Sequence, residues 1–173
     1  AWYSHRLGNE YVVTFNGVVL EKNGTLEAGD FSDYSKAPRF LLIPPNLLRT
    51  NNRLEVTIRS DSGRRSGVPV VQVGPRDELE PVYRKEFALR VVGSGVFCAF
   101  SLVVGAFAFV LWISQTDPRP EQRGVRDSVY LYAALAEFAW AFCRADSLIV
   151  RPPLHWQWWS IAVNMSLGAW LGA

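Results

Sequence analysis

The sequence predicts a mixed fold: an all-β sandwich or jelly roll followed by transmembrane α-helices. Three observations carry this expectation. First, no charged side chain lies between Arg90 and Asp117, and Val91 to Ile113 reads VVGSGVFCAFSLVVGAFAFVLWI. At about 1.5 Å per helical residue this run reaches roughly 34 Å, enough to cross a hydrocarbon core about 30 Å thick. Second, charge is segregated: of 34 charged residues, 24 precede Val91. Third, residues 1–85 alternate β-branched or aromatic runs with turn signals, the pattern of short strands.

Taken in order, Trp2–Arg6 is the first expected strand. Tyr11–Phe15 (YVVTF) follows, and Asn16-Gly17 turns the chain into Val18–Lys22. Asn-Gly suits a type I′ hairpin, which needs positive φ at both central positions. A second Asn-Gly stands at Asn23-Gly24. Further strands are expected at Arg39–Ile43, Leu54–Arg59 and Val70–Val73, with Pro44-Pro45, Asn51-Asn52 and the loop tip Gly63–Gly67 between them. Strands at this spacing suggest a sandwich or jelly roll over residues 1–85. That is a small core for such a domain, as though its first strand were cut short. Residues 76–90 (RDELEPVYRKEFALR) read as a charged connector that turns helical, its last part, 86–90, leading into the membrane.

Three spans are expected. The first is 91–113, followed by a polar loop, 114–127, with two prolines. The second, 128–150, is interrupted by Glu137, Arg144 and Asp146 and broken off by Arg151-Pro152-Pro153. The third, 154–173, carries no charged residue, and Trp156, Trp158 and Trp159 cluster at its start as interfacial aromatics do. The chain lacks an initiating methionine and a signal segment and ends inside an apolar run, so it reads as an internal fragment.

Within the first span, Ser94, Cys98, Ser101, Gly105 and Ala108 recur at steps of three and four and form a small-residue face. Phe97, Phe100, Val104, Phe107 and Leu111 form a bulky one. Small faces let membrane helices approach closely, either within one bundle or as the seam of a homodimer. Glu137 is the sharpest single residue, because an ionised carboxylate at the bilayer centre costs on the order of 3 kcal/mol. With Arg144 two turns on, it is a candidate relay, or a carboxyl held by hydrogen bonds from neighbouring helices. In the β part, Trp2, Tyr3, Tyr11 and Phe15 could line a ligand-binding face or fill the core.

Other chemistry is thin. His5 and His155 are far apart, and no Cys/His/Asp spacing suits a metal. No phosphate loop or nucleophile elbow is present, so no cofactor and no catalytic residue is expected. Acid pairs such as Asp30/Asp33 and Glu78/Glu80 are expected to be solvated. A net charge of +2 gives no basis for a nucleic-acid partner. Membrane lipid is the expected environment.

The segments YVVTFNGVVLEKNG (11–24), RFLLIPPNLLRTNNRLEVTIR (39–59), VQVGPRDELEPVYRKEF (71–87) and YLYAALAEFAWAFCRADSLIVRPPLHWQWWS (130–160) occur in a telling order. Together the chain resembles the bacterial seven-transmembrane receptors with diverse intracellular signalling modules. The resemblance implies an extracytoplasmic jelly-roll sensor domain followed by the first three helices of the bundle. It further implies a small-molecule or carbohydrate ligand, an inner-membrane location with residues 1–90 in the periplasm and 114–127 in the cytoplasm, and an output module, a histidine kinase or a diguanylate cyclase, outside this chain. Charge alone does not orient the spans. Arg84, Lys85 and Arg90 precede the first, Arg119, Arg123 and Arg126 follow it, and Arg144 and Arg151 flank the next turn. Two other functions fit the same residues: a membrane-tethered carbohydrate-binding or envelope module without signalling, and an integral membrane enzyme or transporter using Glu137.

Overall fold

The computed structural model describes residues 1–27, 29–61, 64, 66–115 and 127–172. Two compact units are present: Ala1–Val92 with Ile149–Pro153, and Gly93–Leu148 with Leu154–Ala173.

The first unit is built on two small antiparallel sheets. Strands β1 (Trp2–Ser4), β4 (Arg39–Leu41) and β6 (Val71–Val73) form one in the order β4-β1-β6, and β2 (Glu10–Phe15), β3 (Val18–Asn23) and β5 (Leu54–Arg59) form the other in the order β3-β2-β5. The β2–β3 hairpin turns at Asn16 (φ 51°) and Gly17 (φ 82°), the two positive values that a type I′ turn demands. The second Asn-Gly makes no such turn: Asn23 ends β3, and Gly24 alone has positive φ. Between β2 and β5 the register pairs Tyr11 with Ile58, Val13 with Val56 and Phe15 with Leu54, so the period of two places all six on one face. That face meets Trp2, Leu41 and Val71 of the other sheet around a core of Trp2, Leu7, Tyr11 and Val13. Each such side chain contributes about 1.5–3 kcal/mol on full burial. The architecture is thus two small antiparallel sheets plus helices.

Helix α1 (Arg76–Phe87) passes through a π-helical turn, Ala88–Val92, into α2 (Gly93–Ser114). Arg76–Ser114 is a single helix of 39 residues, and among the described residues it is the one helix long and apolar enough to cross a membrane. It starts ten residues earlier than the expected link at 86–90. The charges that suggest a connector stabilise the helix instead. Asp77 and Glu78 lie at its positive end, and Glu80 takes both Arg76 (2.6 Å) and Arg84 (2.6 Å) at four-residue spacing. Tyr83 stacks on Phe40 of β4 at 5.5 Å, Glu86 lies 3.2 Å from His5 Nδ1, and Arg90 donates to the His5 carbonyl at 2.6 Å.

In the second unit α2 packs on α3 (Ser128–Ala145), and α3 on α4 (Trp156–Gly172). The helix of the expected second span stops at Ala145, and a 3₁₀ turn, Asp146–Leu148, takes over. There the Asp146 carboxylate accepts from Trp159 Nε1 at 2.7 Å. The third begins at Trp156, two residues inside the expected start, and Pro152-Pro153 break the helical path ahead of it. At 18 and 17 residues both are shorter than expected. Most of the 114–127 loop, with Arg119, Arg123 and Arg126, part of the Gly63–Gly67 tip, and Ala173 lie outside the described residues.

Candidate functional site

A polar hub organises the β unit. Asn9, fully buried ahead of β2, accepts the Tyr34 N–H on its carbonyl (2.8 Å) and the Asp61 N–H on Oδ1 (3.2 Å), and its Nδ2 donates to Asp33 Oδ1 (3.0 Å). Asp33 Oδ1 also accepts from Ser35 N (3.1 Å) and Ser35 Oγ (2.6 Å), capping the 3₁₀ turn Tyr34–Lys36. Arg64 reaches Asp33 (3.4 Å) and Asp61 (2.9 Å), and Arg59 reaches Asp61 (2.8 Å) and Glu10 (3.4 Å).

Glu10 is the most enclosed acid of the hub, at 1% exposure. Its Oε2 accepts from Leu26 N at 2.6 Å, and Gly24 (φ +86°) lies so close that a Cβ there would come within 2.6 Å of the carboxyl carbon. Burial pushes the Glu10 carboxyl above its ordinary range. The neighbouring Asp30, which hydrogen-bonds Glu10, is held below its own range first by the Ser32 hydroxyl, which donates at 2.7 Å. Burial thus disfavours the charged form of Glu10, whereas the Ser32 donors favour that of Asp30. Every hub carboxyl has a named donor, so the arrangement cross-links loops 24–36 and 59–64. Among the described residues no group of three or more His, Cys, Asp or Glu could hold a metal ion.

The expectation that Asp30 and Asp33 are solvated is corrected: their side chains are 11% and 13% exposed. A local signal was present. Asp30-Phe31-Ser32 and Asp33-Tyr34-Ser35 repeat one Asp-aromatic-Ser motif, and in each the aspartate accepts from the N–H and Oγ of the serine two residues on.

The aromatics proposed as a ligand face are all packed inside. Trp2 and Tyr11 are fully buried, Phe15 and Tyr3 nearly so. The Tyr11 hydroxyl donates to Glu21 (2.9 Å) and accepts from Asn23 (2.7 Å), and its ring carries the Arg39 guanidinium at 5.5 Å. They build the core and present no face to solvent.

In the second unit, Ser94, Ser101, Gly105 and Ala108 are the buried residues of α2, with Cys98 half-buried beside them. Phe97, Phe100 and Phe107 on the bulky face are exposed. At Gly105 a Cβ would meet the Phe138 ring at 2.9 and 3.0 Å and the Glu137 Cβ at 3.2 Å, so this glycine lets α3 approach. Glu137 and Arg144 do not pair. Arg144 Nη2 donates to Ser94 Oγ at 2.9 Å and the guanidinium lies 5.5 Å from the Trp140 ring centroid, whereas the Glu137 carboxyl has no hydrogen bond or ion pair among the described residues. Trp140 stacks on Trp170 at 4.4 Å, joining α3 to α4.

No protein family, no curated protein and no solved structure matches this chain.

Proposed function

We propose that this chain is part of a transmembrane sensory receptor of the bacterial inner membrane. Its β unit acts as a periplasmic sensor domain of jelly-roll type and takes a small-molecule or carbohydrate ligand. Its helices are spans of a multi-pass bundle, and a histidine kinase or diguanylate cyclase module delivers the output. The observation that carries this reading is continuity. The helix that starts at Arg76, stacked on β4 through Tyr83, runs on to Ser114 and becomes the apolar segment. A ligand that binds two states of the β unit with different affinity shifts their populations, and a helix rooted in that unit carries the shift onward. The small face of α2, spent on packing against α3, is more than a solitary anchor needs. Helices α3 and α4, roughly 27 and 25 Å long, enter this proposal as further membrane helices of the bundle, although among the described residues Arg76–Ser114 alone is long and apolar enough to cross by itself. The Glu137 carboxyl, without a hydrogen bond or ion pair among the described residues, favours a second reading, an integral membrane enzyme or transporter in which it is the coupling acid.

Two experiments test the receptor. In a Cys98→Ser, Cys143→Ser background, single cysteines at Val70 and Ser114 are treated with a membrane-impermeant maleimide in intact cells. Labelling at Val70 alone is expected, and labelling at Ser114 alone overturns the orientation. Phe87→Pro with Ala88→Pro in the parent protein should abolish regulation of phosphotransfer or cyclic-dinucleotide synthesis. Unchanged regulation removes the helix from the signalling path.

A further inference from the structure

Residues Ile149–Pro153 connect α3 to α4, yet they belong to the compact unit of the β sheets. The Asp33 N–H donates to the Val150 carbonyl at 2.8 Å, and Lys36 Nζ donates to the Ile149 carbonyl at 2.9 Å. Arg151 Nη2 lies 3.8 Å from Asp30 Oδ1 on a side chain 75% exposed, which makes it the weakest of the three contacts. The stronger two fall on consecutive carbonyls, and one is charge-assisted. The Asp33 donor does not swing freely, because Asp33 is fixed by Asn9, Ser35 and Arg64 and the Tyr34 N–H is bonded to the Asn9 carbonyl. Movement of the main chain at Asp33 must carry Val150 with it or break the bond between them.

We infer that the Ile149–Pro153 turn is a second transmission point of the β unit: the tandem Asp-aromatic-Ser segment grips its main chain and moves the adjoining ends of α3 and α4, in parallel with the α1–α2 helix. The grip is chemical rather than sequence-specific on the turn side, since it takes carbonyl oxygens. The downstream ends are themselves tied, Asp146 to Trp159 at 2.7 Å and Phe142 to Trp159 with ring centroids 5.1 Å apart, so displacement of the turn acts on both helices together. What drives the segment rests on the receptor reading; the grip does not.

Hydrogen–deuterium exchange on the full chain in lipid nanodiscs tests this without ligand or output, so loss of the receptor reading and loss of the grip are distinguishable. Lys36→Met removes the charged donor. It should speed exchange about tenfold or more both in 30–36 and in 146–160, as expected for one lost hydrogen bond to a charged group. Arg49→Met, a control at an exposed cation, should change neither segment. Arg151→Gln should alter exchange by less than about twofold, as an exposed pair does. Faster exchange in 30–36 with 146–160 unchanged overturns the coupling. No change in either segment removes the grip, and an Arg151→Gln effect equal to that of Lys36→Met assigns the contact to side-chain charge instead of main-chain capture.

Discussion

Replacing Gly105 by alanine probes the helix pair on which the bundle depends. The added Cβ would stand 2.9 and 3.0 Å from two carbons of the Phe138 ring and 3.2 Å from the Glu137 Cβ. Carbon atoms sit comfortably at about 3.5–4.0 Å, so the overlap is roughly 0.5–1 Å. The two ring carbons share one edge, and Glu137 Cβ is fixed to the backbone, so a ring flip cannot relieve both contacts and α3 must shift. Overpacking of that kind costs about 1–3 kcal/mol. Alanine also returns up to about 1 kcal/mol of helix propensity, which would blur the result for a single variant. Gly168 in α4 has nothing within 4 Å of its built Cβ and supplies the reference, since Gly168→Ala takes the propensity gain without the clash. The difference between the two variants should therefore be about 1–3 kcal/mol, Gly105→Ala being the less stable. SDS titration of the chain in mild detergent, followed by tryptophan fluorescence, measures it. A difference below about 0.5 kcal/mol, under the lower bound of overpacking, refutes the α2–α3 contact, as does failure of Phe138→Leu to recover stability in the Gly105→Ala background.

Three further outcomes are expected. Asn16→Ala forfeits side-chain bonds to Leu47 O (2.7 Å), Asn52 Oδ1 (3.0 Å) and Arg53 N (2.7 Å) and puts alanine at φ 51°, so urea unfolding should report a loss of about 2–4 kcal/mol, and a loss under about 1 kcal/mol refutes the turn. Glu10 has its carboxyl raised by burial, so the folded state prefers its protonated form; stability is fullest below the unfolded value and is lost as pH climbs through the raised one. The Asp30 effect runs oppositely, present above its unfolded value and lost as pH falls, so it is the alkaline loss that Glu10→Gln should flatten in thermal melts across pH 4 to 8; an unchanged slope removes Glu10 from the linkage. Glu137→Gln should leave helix content intact and, under the proposed receptor reading with this acid as a relay, abolish regulated output; a wild-type response makes it a packing residue.

What the sequence reveals follows from how local the cause is. Leu54–Arg59 and the Asn16-Gly17 turn were legible because strand period and positive φ are written in adjacent residues. The small face of α2 was legible for the same reason, its period being that of the helix. Helix α1 was harder, because residues 76–87 look solvated until Glu80 is seen to hold a cation one turn away on either side. The hub was harder again. Asp30 and Asp33 carried a repeated local motif, and Arg59, Asp61 and Arg64 pair within a few residues, but the bonds of Asn9 to Asp33 and Asp61, of Arg59 to Glu10 and of Arg64 to Asp33 join partners tens of residues apart, so no short window of sequence contains both halves.

The turn at 149–153 is the extreme case. Arg151-Pro152-Pro153 announces a helix break and nothing more, because the oxygens of Ile149 and Val150 that Asp33 and Lys36 take are the same in every residue type. A grip made on main-chain carbonyls leaves its mark only on the donor side, as the Asp-aromatic-Ser repeat and the lysine that directly follows it. Substitutions at Ile149 or Val150 that keep the backbone should therefore be tolerated where Lys36→Met is not. That asymmetry separates main-chain capture from ordinary side-chain packing.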